Sequence, residues 1–540
     1  MAADPTPAVL NTSASRTVSA LPRSRPSDQG VDPAAIDGLL DAVERAGIEL
    51  HSLMVLRHGA VVAEGWWSPY SADGLHLLYS LSKSFTSAAA GLAIAEGRFG
   101  LDDLVLDHLG EFAPDGVDER FRLLKVRHAL SMATGHEHET AVQAVTWCLH
   151  HSDPEMLHGF FTIPPERDPG TVFAYNQPAT YCAARIVEKT TGQRVEQYLT
   201  PRLFEPLGIA DHFWLTENGH NVGYSGLHLT TESIAKLGQL CLQLGEWNGE
   251  QLLPADWVRQ ATAVQMPNDA AHQVEPPALT NPDWLQGYGF QFWMSQHGYR
   301  GDGACGQFCL VWPEQDAVIV TTAAVVDMQA LLTMIEQQLL PGMNGSGSDT
   351  VAEDVAAQED RLSARLAGLA LQIPQEVGGG TVGTFRRSAA GMAAAAAKLA
   401  DPTAESDVAA PELSSLALSD SATGWELELT LPSGPIVLPI GRAGWAAGNW
   451  PGVSRDGATG SVLFESAGGW HSDGIFEATL VMIQTPHAIR LLLDPATGKF
   501  DASWQLPPLR GASPSEHLLS RSGSPAPHIP TTNTTNGQGS

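Results

Sequence analysis

The chain has 540 residues, which is long for one simple core and favours two folded domains. Acidic residues outnumber basic ones by 60 to 30, and the net charge of −30 argues against nucleic acid or an anionic membrane as a partner. No apolar run approaches the roughly 20 residues that a membrane span needs. The N-terminal residues also lack the basic start and apolar core of a secretory signal.

The cysteines support a cytoplasmic location. Their number is odd, and their spacing gives neither a CxxC pair nor a zinc-binding pattern. We therefore predict free, mostly buried thiols in a reducing compartment at Cys148, Cys182, Cys241, Cys305 and Cys309.

The first two thirds of the chain predict one α+β unit. Residues 50–67 alternate and break at His58-Gly59, which indicates a β-hairpin. The Ala-rich segment 82–103 is apolar on most faces, which is typical of a helix buried inside a domain. Helical patterns dominate as far as residue 270, and strands are predicted at 287–295 and 308–326, before a last helix. Strands at both ends of the unit predict a sheet that joins distant parts of the chain, with a helical insertion.

From about residue 411 the pattern changes to short alternating runs with Gly and Pro turns, which predicts a small β-sandwich or barrel. The predicted organisation is a disordered leader (1–28), a hydrolase-like unit (29–342), a linker with possible helices (343–410), an all-β unit (411–520) and a disordered tail (521–540).

The stretch LLYSLSKSFTS at 77–87 contains the first candidate chemistry, Ser80 followed by Lys83. Positions i and i+3 of a helix share one face, so the two side chains should be neighbours. A serine hydroxyl needs a base to become a nucleophile, and a lysine serves as that base where burial lowers its pKa. The apolar helix provides such a setting, and a Ser-Lys pair is a known variant of the catalytic triad.

The S-x-x-K pattern alone is weak, because it recurs at Ser233 and Lys236. There Thr231 is a predicted N-cap, Ser233 lies in the first helical turn and Lys236 falls on an amphipathic helix. We interpret this second copy as structural.

Two more segments carry candidate residues. Tyr175 precedes a helix that opens with proline, and it is either a buried aromatic or a general base whose phenolate a lysine stabilises.

The glycines of YRGDGACGQF (299–308) allow close backbone approach to a ligand. A backbone N–H there could form an oxyanion hole with that of Ser80, although a plain turn is the alternative.

In this order, the three segments resemble the serine β-lactamase and penicillin-binding-protein superfamily, and most closely its class C β-lactamase-related esterases and peptidases. The likeness spans roughly residues 30–342 and includes VRHALSMATG (126–135), 225–258, GYGFQFW (287–293) and 306–322. It implies an antiparallel sheet flanked by helices with an inserted helical subdomain, here followed by a small C-terminal all-β domain.

The resemblance also implies roles for individual residues. Ser80 corresponds to the acylated nucleophile, Lys83 to the adjacent base and Tyr175 to the tyrosine of the Y-x-N motif. Gln177 stands where that motif has asparagine, and Asn176 lies one residue earlier.

The family's K-T-G motif is replaced here by Gly301-Asp302-Gly303, which leaves the backbone N–H of Ala304 as the second oxyanion donor. Without the motif's lysine, no cation is available there for the carboxylate of a β-lactam or peptide, and Asp302 would repel it. We therefore expect hydrolysis of an ester or small amide in preference to a β-lactam or peptide.

The sequence thus predicts a serine hydrolase that acts through an acyl-enzyme and needs no metal or organic cofactor. One alternative is a non-catalytic, penicillin-binding-like protein that binds or senses a ligand. Another is a zinc hydrolase built on His136 and His138, with His150 or Asp153 completing the site, which requires an extended chain at HEHE. The oligomeric state stays open, and the C-terminal unit could either cover the cleft or make an oligomer contact.

Overall fold

The structure is a computed structural model, and the residues that it describes are 20–269, 271–274, 281–343, 352–388, 413, 415–431, 434–453, 459–509 and 514. The predicted tail, 521–540, lies outside these residues. Across the described chain, no helix is both long enough and apolar enough to cross a membrane.

The first unit contains all the α-helices of the described chain. Its main sheet is built from strands near both ends of the unit's sequence. The helices are α1 (Pro33–Ala46), α2 (Ser82–Ala95), α3 (Val105–Leu109), α4 (Val126–Leu130), α5 (Ala141–His151), α6 (Met156–Phe160), α7 (Gln177–Thr191), α8 (Val195–Leu199), α9 (Glu205–Leu207), α10 (Thr231–Leu242), α11 (Ala255–Ala261), α12 (Met328–Met343) and α13 (Ala352–Ala367). The strands are β1 (Glu49–Arg57), β2 (Ala60–Trp66), β3 (His76–Leu77), β4 (Phe213–Trp214), β5 (Thr216–Glu217), β6 (His220–Asn221), β7 (Leu227–Leu229), β8 (Glu246–Trp247), β9 (Glu250–Gln251), β10 (Trp293–Ser295), β11 (Gly298–Gly303), β12 (Gln307–Trp312) and β13 (Ala317–Ala324).

The main sheet is antiparallel and has the order β10-β11-β12-β13-β1-β2. The central pairing of β1 with β13 joins parts of the chain more than 250 residues apart, as the sequence predicted. The hairpin of β1 and β2 turns at His58 and Gly59, both with positive φ, which confirms the predicted turn.

Helices cover both faces of this sheet because its strands alternate between two hydrophobic cores. Leu53 and Val55 of β1 join a core with α1, α12 and α13. Met54 and Leu56 face the opposite core, which contains α2 and α10. The α+β architecture with an antiparallel sheet and flanking helices is thereby confirmed. Helices α2 to α11 lie between β2 and β10 in the sequence, and their grouping as an inserted subdomain stays a prediction.

The bounds of this unit differ from the predicted ones at both ends. Of the predicted leader, residues 1–19 lie outside the described residues, but residues 20–28 are packed on the domain. Leu21 is buried, and the N–H of Val61 donates to the carbonyl of Pro22. Helix α13, in the predicted linker, buries Leu362 and Leu366 in the core shared with α1.

The C-terminal unit is an eight-stranded barrel with one additional strand. Its strands are β14 (Gly383–Arg387), β15 (Ser415–Asp420), β16 (Gly424–Leu431), β17 (Gly434–Gly441), β18 (Ala446–Val453), β19 (Thr459–Trp470), β20 (Phe476–Met482), β21 (Ala488–Asp494) and β22 (Lys499–Trp504). A bridge between Gly441 and Ala467 pairs β17 with β19 and closes the ring, and β18 extends outward from β19. Large side chains such as Trp425 fill the interior. Strand β14 lies before the predicted start of this unit at residue 411. The sequence did not predict this strand because GTFRR shows little apolar alternation.

All five cysteines are free and buried, as predicted.

Candidate active site

Ser80 lies in a short 3-10 turn, Tyr79–Leu81, which follows β3 and leads into α2. Tyr79 has a φ of 48°, in the left-handed region that non-glycine residues rarely adopt. Ser80 is half-buried, whereas almost every residue of α2 behind it is buried, as the sequence predicted. The turn therefore exposes the Ser80 side chain at the end of a helix that is fixed in the core.

Lys83 points from the first turn of α2 towards Ser80. Its side chain is only 1% exposed, so the predicted burial is confirmed. Its Nζ lies 2.9 Å from the Oγ of Ser80, 2.6 Å from the Oε1 of Gln177 and 2.9 Å from the carbonyl oxygen of Tyr224. The amine is thus in direct hydrogen-bond contact with the candidate nucleophile, and two oxygens fix its position.

Gln177 and Asn176 are separated by the structure into different environments. Gln177 is the first residue of α7 and brings its amide to Lys83. Asn176 is fully buried, and its Oδ1 accepts hydrogen bonds from the N–H and hydroxyl of Thr140. The amide at the site is therefore that of Gln177, and Asn176 instead ties the start of α7 to the start of α5.

Tyr175 packs beside Lys83 and hydrogen-bonds with Ser80. Its ring stacks on Trp293 with centroids 5.2 Å apart, and the Nζ of Lys83 is 4.8 Å from its centroid. Burial raises the pKa of the Tyr175 phenol well above its ordinary value, although hydrogen bonds with Ser80 and Trp293 oppose this. The negative charges of Asp302 and Glu139 raise the pKa further. This environment favours the protonated phenol, which can donate a proton to a neighbouring oxygen.

The glycine-rich segment, which the sequence placed directly before a strand, is itself part of a strand, β11 (Gly298–Gly303), so the alternative of a plain turn does not apply to these residues. We call Tyr79–Leu81 the nucleophile turn, and Leu78 directly precedes it. A Cβ on Gly303 would lie 2.0 Å from the carbonyl oxygen of Leu78, so only glycine permits β11 to approach the nucleophile turn this closely. Ala304 follows β11, is half-buried and packs beside Leu77 and Tyr79. The candidate oxyanion residue is thus brought next to the turn that carries Ser80.

Asp302 is not the uncompensated charge that the sequence suggested, because Arg300 pairs with it. The Nε of Arg300 lies 2.8 Å from the Oδ2 of Asp302, and Arg300 is fully buried. Burial raises the pKa of Asp302, while Arg300 and the more distant Lys83 oppose that shift. The guanidinium of Arg300 also lies 4.4 Å from the ring centroid of Trp284.

Glu139 is a site residue that the sequence reading missed. Its two carboxylate oxygens lie 3.1 and 3.2 Å from the backbone N of Gln177, and the N–H of Ala141 also donates to it. Burial raises the pKa of Glu139, while these N–H groups and the charge of Lys83 oppose the shift. Glu139 directly precedes Thr140, the N-cap of α5, and no sequence motif marks a glutamate at that position as a site residue.

The second S-x-x-K copy is structural, as predicted. Thr230, rather than Thr231, is the N-cap of α10, and its Oγ1 accepts from the N–H of Ser233. Lys236 is directed to Glu232, 3.4 Å away, and to the carbonyl of Gly208.

The histidine cluster does not assemble as a zinc site. His136 is buried, with its ring nitrogens in hydrogen bonds to Thr134 and to the carbonyl of Ile163. His138 and His150 are exposed. Among the described residues, no three His, Cys, Asp or Glu side chains are grouped so that they could hold a metal ion.

An antiparallel sheet with an S-x-x-K helix against it defines the class of the serine β-lactamases and penicillin-binding proteins. Residues 35–327 match the Beta-lactamase family, and the chain belongs to that family.

The chain is similar to proteins named as hydrolases, an esterase and a synthase. It is 25% identical over 290 residues to the 6-aminohexanoate-dimer hydrolase of Paenarthrobacter ureafaciens, across 51% of this chain and 73% of that protein. It is 26% identical over 161 residues to the lovastatin esterase of Penicillium rubens, across 26% of this chain and 40% of that protein. A mutant of simvastatin synthase from Aspergillus terreus aligns with a TM-score of 0.45 and 17% identity, over 58% of this chain and 100% of that one.

Proposed function

We propose that the protein is a serine hydrolase that acts through an acyl-enzyme on a small ester or amide. One observation carries this proposal: the buried amine of Lys83 lies 2.9 Å from the hydroxyl of Ser80. Relatives named as a 6-aminohexanoate-dimer hydrolase and a lovastatin esterase support the same reaction class.

In the acylation step, Lys83 accepts the proton of Ser80 while the Oγ of Ser80 bonds to the substrate carbonyl carbon. The oxyanion that forms accepts hydrogen bonds from the backbone N–H groups of Ser80 and Ala304. The bond to the leaving group then breaks, and the phenol of Tyr175 gives its proton to the departing oxygen or nitrogen. The proton held by Lys83 restores the phenol, so no net charge is left at the site.

In the deacylation step, a water molecule replaces the leaving group. The Lys83 and Tyr175 pair takes one proton from this water as its oxygen attacks the acyl carbon. The bond between that carbon and the Oγ of Ser80 breaks, the proton returns to Ser80, and the carboxylic acid leaves. Neither a metal nor an organic cofactor takes part in these steps.

The charges near Ser80 favour a neutral substrate. The negative charges of Glu139 and Asp302 raise the pKa of the Tyr175 phenol, and Glu139 also accepts from the backbone N–H of Gln177 beside Lys83. The guanidinium of Arg300 is fully buried in its pair with Asp302. A substrate carboxylate would therefore meet repulsion from Glu139 with no exposed cation from β11 to offset it. Esters and small amides should be better substrates than carboxylate-bearing β-lactams.

The test is turnover of p-nitrophenyl acetate and butyrate, together with intact-mass detection of the adduct from a serine-reactive fluorophosphonate. The wild type should hydrolyse both esters and gain one adduct on Ser80, and it should hydrolyse a chromogenic cephalosporin far more slowly. Ser80→Ala should abolish turnover and adduct.

The second S-x-x-K copy provides a matched control, because Ser233→Ala removes a hydroxyl from the same pattern and should leave both readouts intact. A folded wild type with neither turnover nor adduct would contradict the proposal and favour a non-catalytic ligand-binding protein. Activity lost to a chelator would also contradict it.

A further inference from the structure

The C-terminal barrel contacts the turn that carries Ser80. The Nε2 of His487, which precedes β21, lies 2.5 Å from the hydroxyl oxygen of Tyr79, the residue directly before Ser80. The N–H of Leu77 donates to the carbonyl of Gln484 across the same interface, at 2.8 Å. The barrel therefore meets the hydrolase unit through specific hydrogen bonds beside the nucleophile.

The partners of His487 define its hydrogen-bonding state. Its Nδ1 lies 2.9 Å from the carbonyl oxygen of Leu506, which can only accept. In a neutral imidazole the Nδ1 therefore carries the proton, and the Nε2 accepts from the hydroxyl of Tyr79. The His487 side chain is fully buried, and its backbone N–H donates to Thr485. The acceptor for Tyr79 is thus held in a fixed position.

The hydrogen bond between His487 and Tyr79 is made at a residue with an unfavourable backbone conformation. The left-handed φ of 48° at Tyr79 costs about 1 kcal/mol or more for a residue with a side chain. The carbonyl of Tyr79 accepts from the hydroxyl of Ser82, which in turn accepts from the N–H of Leu227. Fixing the Tyr79 ring at its far end helps to hold this conformation, and with it the direction of Ser80.

The same part of the barrel reaches the other side of the site. Leu506, whose carbonyl holds His487, packs into a small apolar cluster with Leu77, Tyr79, Cys305 and Ala304. Ala304 follows the glycine strand β11, and the nucleophile turn lies against it. One barrel segment therefore touches both backbone segments from which the oxyanion donors come.

We propose that His487 is a positioning residue of the hydrolase, which acts through Tyr79 to hold the nucleophile turn in its reactive geometry. The inference rests on the proposed function, and it gives the barrel a definite role: the barrel completes the active site without supplying a group that touches the substrate.

The test compares three single variants. His487→Leu removes both hydrogen bonds, whereas His487→Gln retains one donor and one acceptor at a similar spacing. His471→Leu is the control for loss of a barrel histidine, because His471 lies at the opposite end of β20 and pairs with Glu477. The measurements are the rate of fluorophosphonate labelling of Ser80, kcat and KM for p-nitrophenyl butyrate, and the thermal midpoint.

We expect His487→Leu to slow labelling and lower kcat at least 10-fold with little change in KM. His487→Gln should recover most of the rate, and His471→Leu should label like the wild type whatever its thermal midpoint. A folded His487→Leu variant that labels as fast as the wild type would overturn the inference alone, whereas an unlabelled wild type would overturn the proposed function as well.

If His487→Leu does not fold, Tyr79→Phe removes only the hydroxyl, which also hydrogen-bonds the backbone of Leu509, and so tests the contact of Tyr79 with the barrel. This variant should lower the labelling rate about as much as His487→Leu is expected to. Wild-type labelling by folded Tyr79→Phe would again overturn the inference.

Discussion

The amide oxygen of Gln177 lies 2.6 Å from the Nζ of Lys83, and the hydroxyl of Ser80 is 2.9 Å from that same nitrogen. Two helices far apart in the sequence, α2 and α7, thus meet at one buried amine. Glu139 accepts from the backbone N–H of Gln177, so the side chain of Gln177 extends from a fixed helix start. The longer side chain of glutamine therefore makes the contact that the sequence left uncertain.

The first prediction concerns this contact. Gln177→Leu removes a hydrogen-bond acceptor from Lys83, which becomes a charged ammonium when it takes the proton of Ser80. A hydrogen bond to a charged group contributes about 1.5–3 kcal/mol, so labelling of Ser80 should slow by about 10- to 100-fold. Gln177→Asn should give an intermediate rate because its side chain is one methylene shorter. The rate of fluorophosphonate labelling is the measurement, and a wild-type rate for Gln177→Leu would contradict the prediction.

Asn176 provides the matched control. Asn176→Ala leaves the N–H and hydroxyl of Thr140 without their buried acceptor, and it should lower the free energy of unfolding by about 1–3 kcal/mol. Chemical denaturation measures this loss. The folded variant should label faster than Gln177→Leu, because its amide does not contact Lys83.

The second prediction compares two buried lysines from the two S-x-x-K copies. Lys83→Met removes the amine beside Ser80 and should lower kcat for p-nitrophenyl butyrate by about 10²–10⁴-fold, the usual contribution of general base catalysis. Lys236→Met removes an equally buried amine, 3% exposed and paired with Glu232, and should keep near-wild-type kcat. Similar losses in both variants would mean that the effect comes from buried charge rather than from chemistry.

The sequence predicted those parts of the molecule that depend on neighbours along the chain. The hairpin at His58-Gly59 follows from two residues that tolerate positive φ. The contact between Ser80 and Lys83 follows from their spacing on one helix face. Burial of α2 follows from apolar residues on nearly all of its faces.

The sequence could not predict features that depend on packing between distant segments. Gln177 and Asn176 are adjacent amides, and only the start of α7 determines which one faces Lys83. Arg300 and Asp302 are close in sequence, but their pairing requires an extended strand that places both side chains on one face. The contact of Tyr79 with His487 joins two domains, and no local pattern indicates it.

The third prediction concerns the approach of β11 to the nucleophile turn. Gly303→Ala places a Cβ 2.0 Å from the carbonyl oxygen of Leu78, a backbone atom that cannot move aside without shifting Ser80. Overpacking of this kind costs about 1–3 kcal/mol, and we expect a loss of labelling rate of about 10-fold or more. Gly110→Ala is the control, because a Cβ there meets nothing within 4 Å. A fully active Gly303→Ala variant would show that β11 can retreat without disturbing Ser80.

The fourth prediction concerns stability, and it does not depend on the proposed function. Burial on α12, with repulsion from Asp283, raises the pKa of Glu336 to about 7, while Arg300 opposes the shift. The folded state therefore binds this proton more tightly than the unfolded state. Between about pH 4.5 and 7 the folded protein retains the proton that the unfolded chain releases, so this group lowers the free energy of unfolding as the pH rises.

Glu336→Gln removes this titration while keeping the size and polarity of the side chain. Its free energy of unfolding should exceed that of the wild type by about 1–2 kcal/mol at pH 8, allowing for partial solvent exposure, and the difference should shrink towards pH 4.5. Denaturant unfolding at the two pH values measures both quantities, and the exposed Glu314→Gln controls for loss of one negative charge. An equal offset at both pH values would contradict the raised pKa of Glu336, because a titrating group must produce a pH-dependent difference.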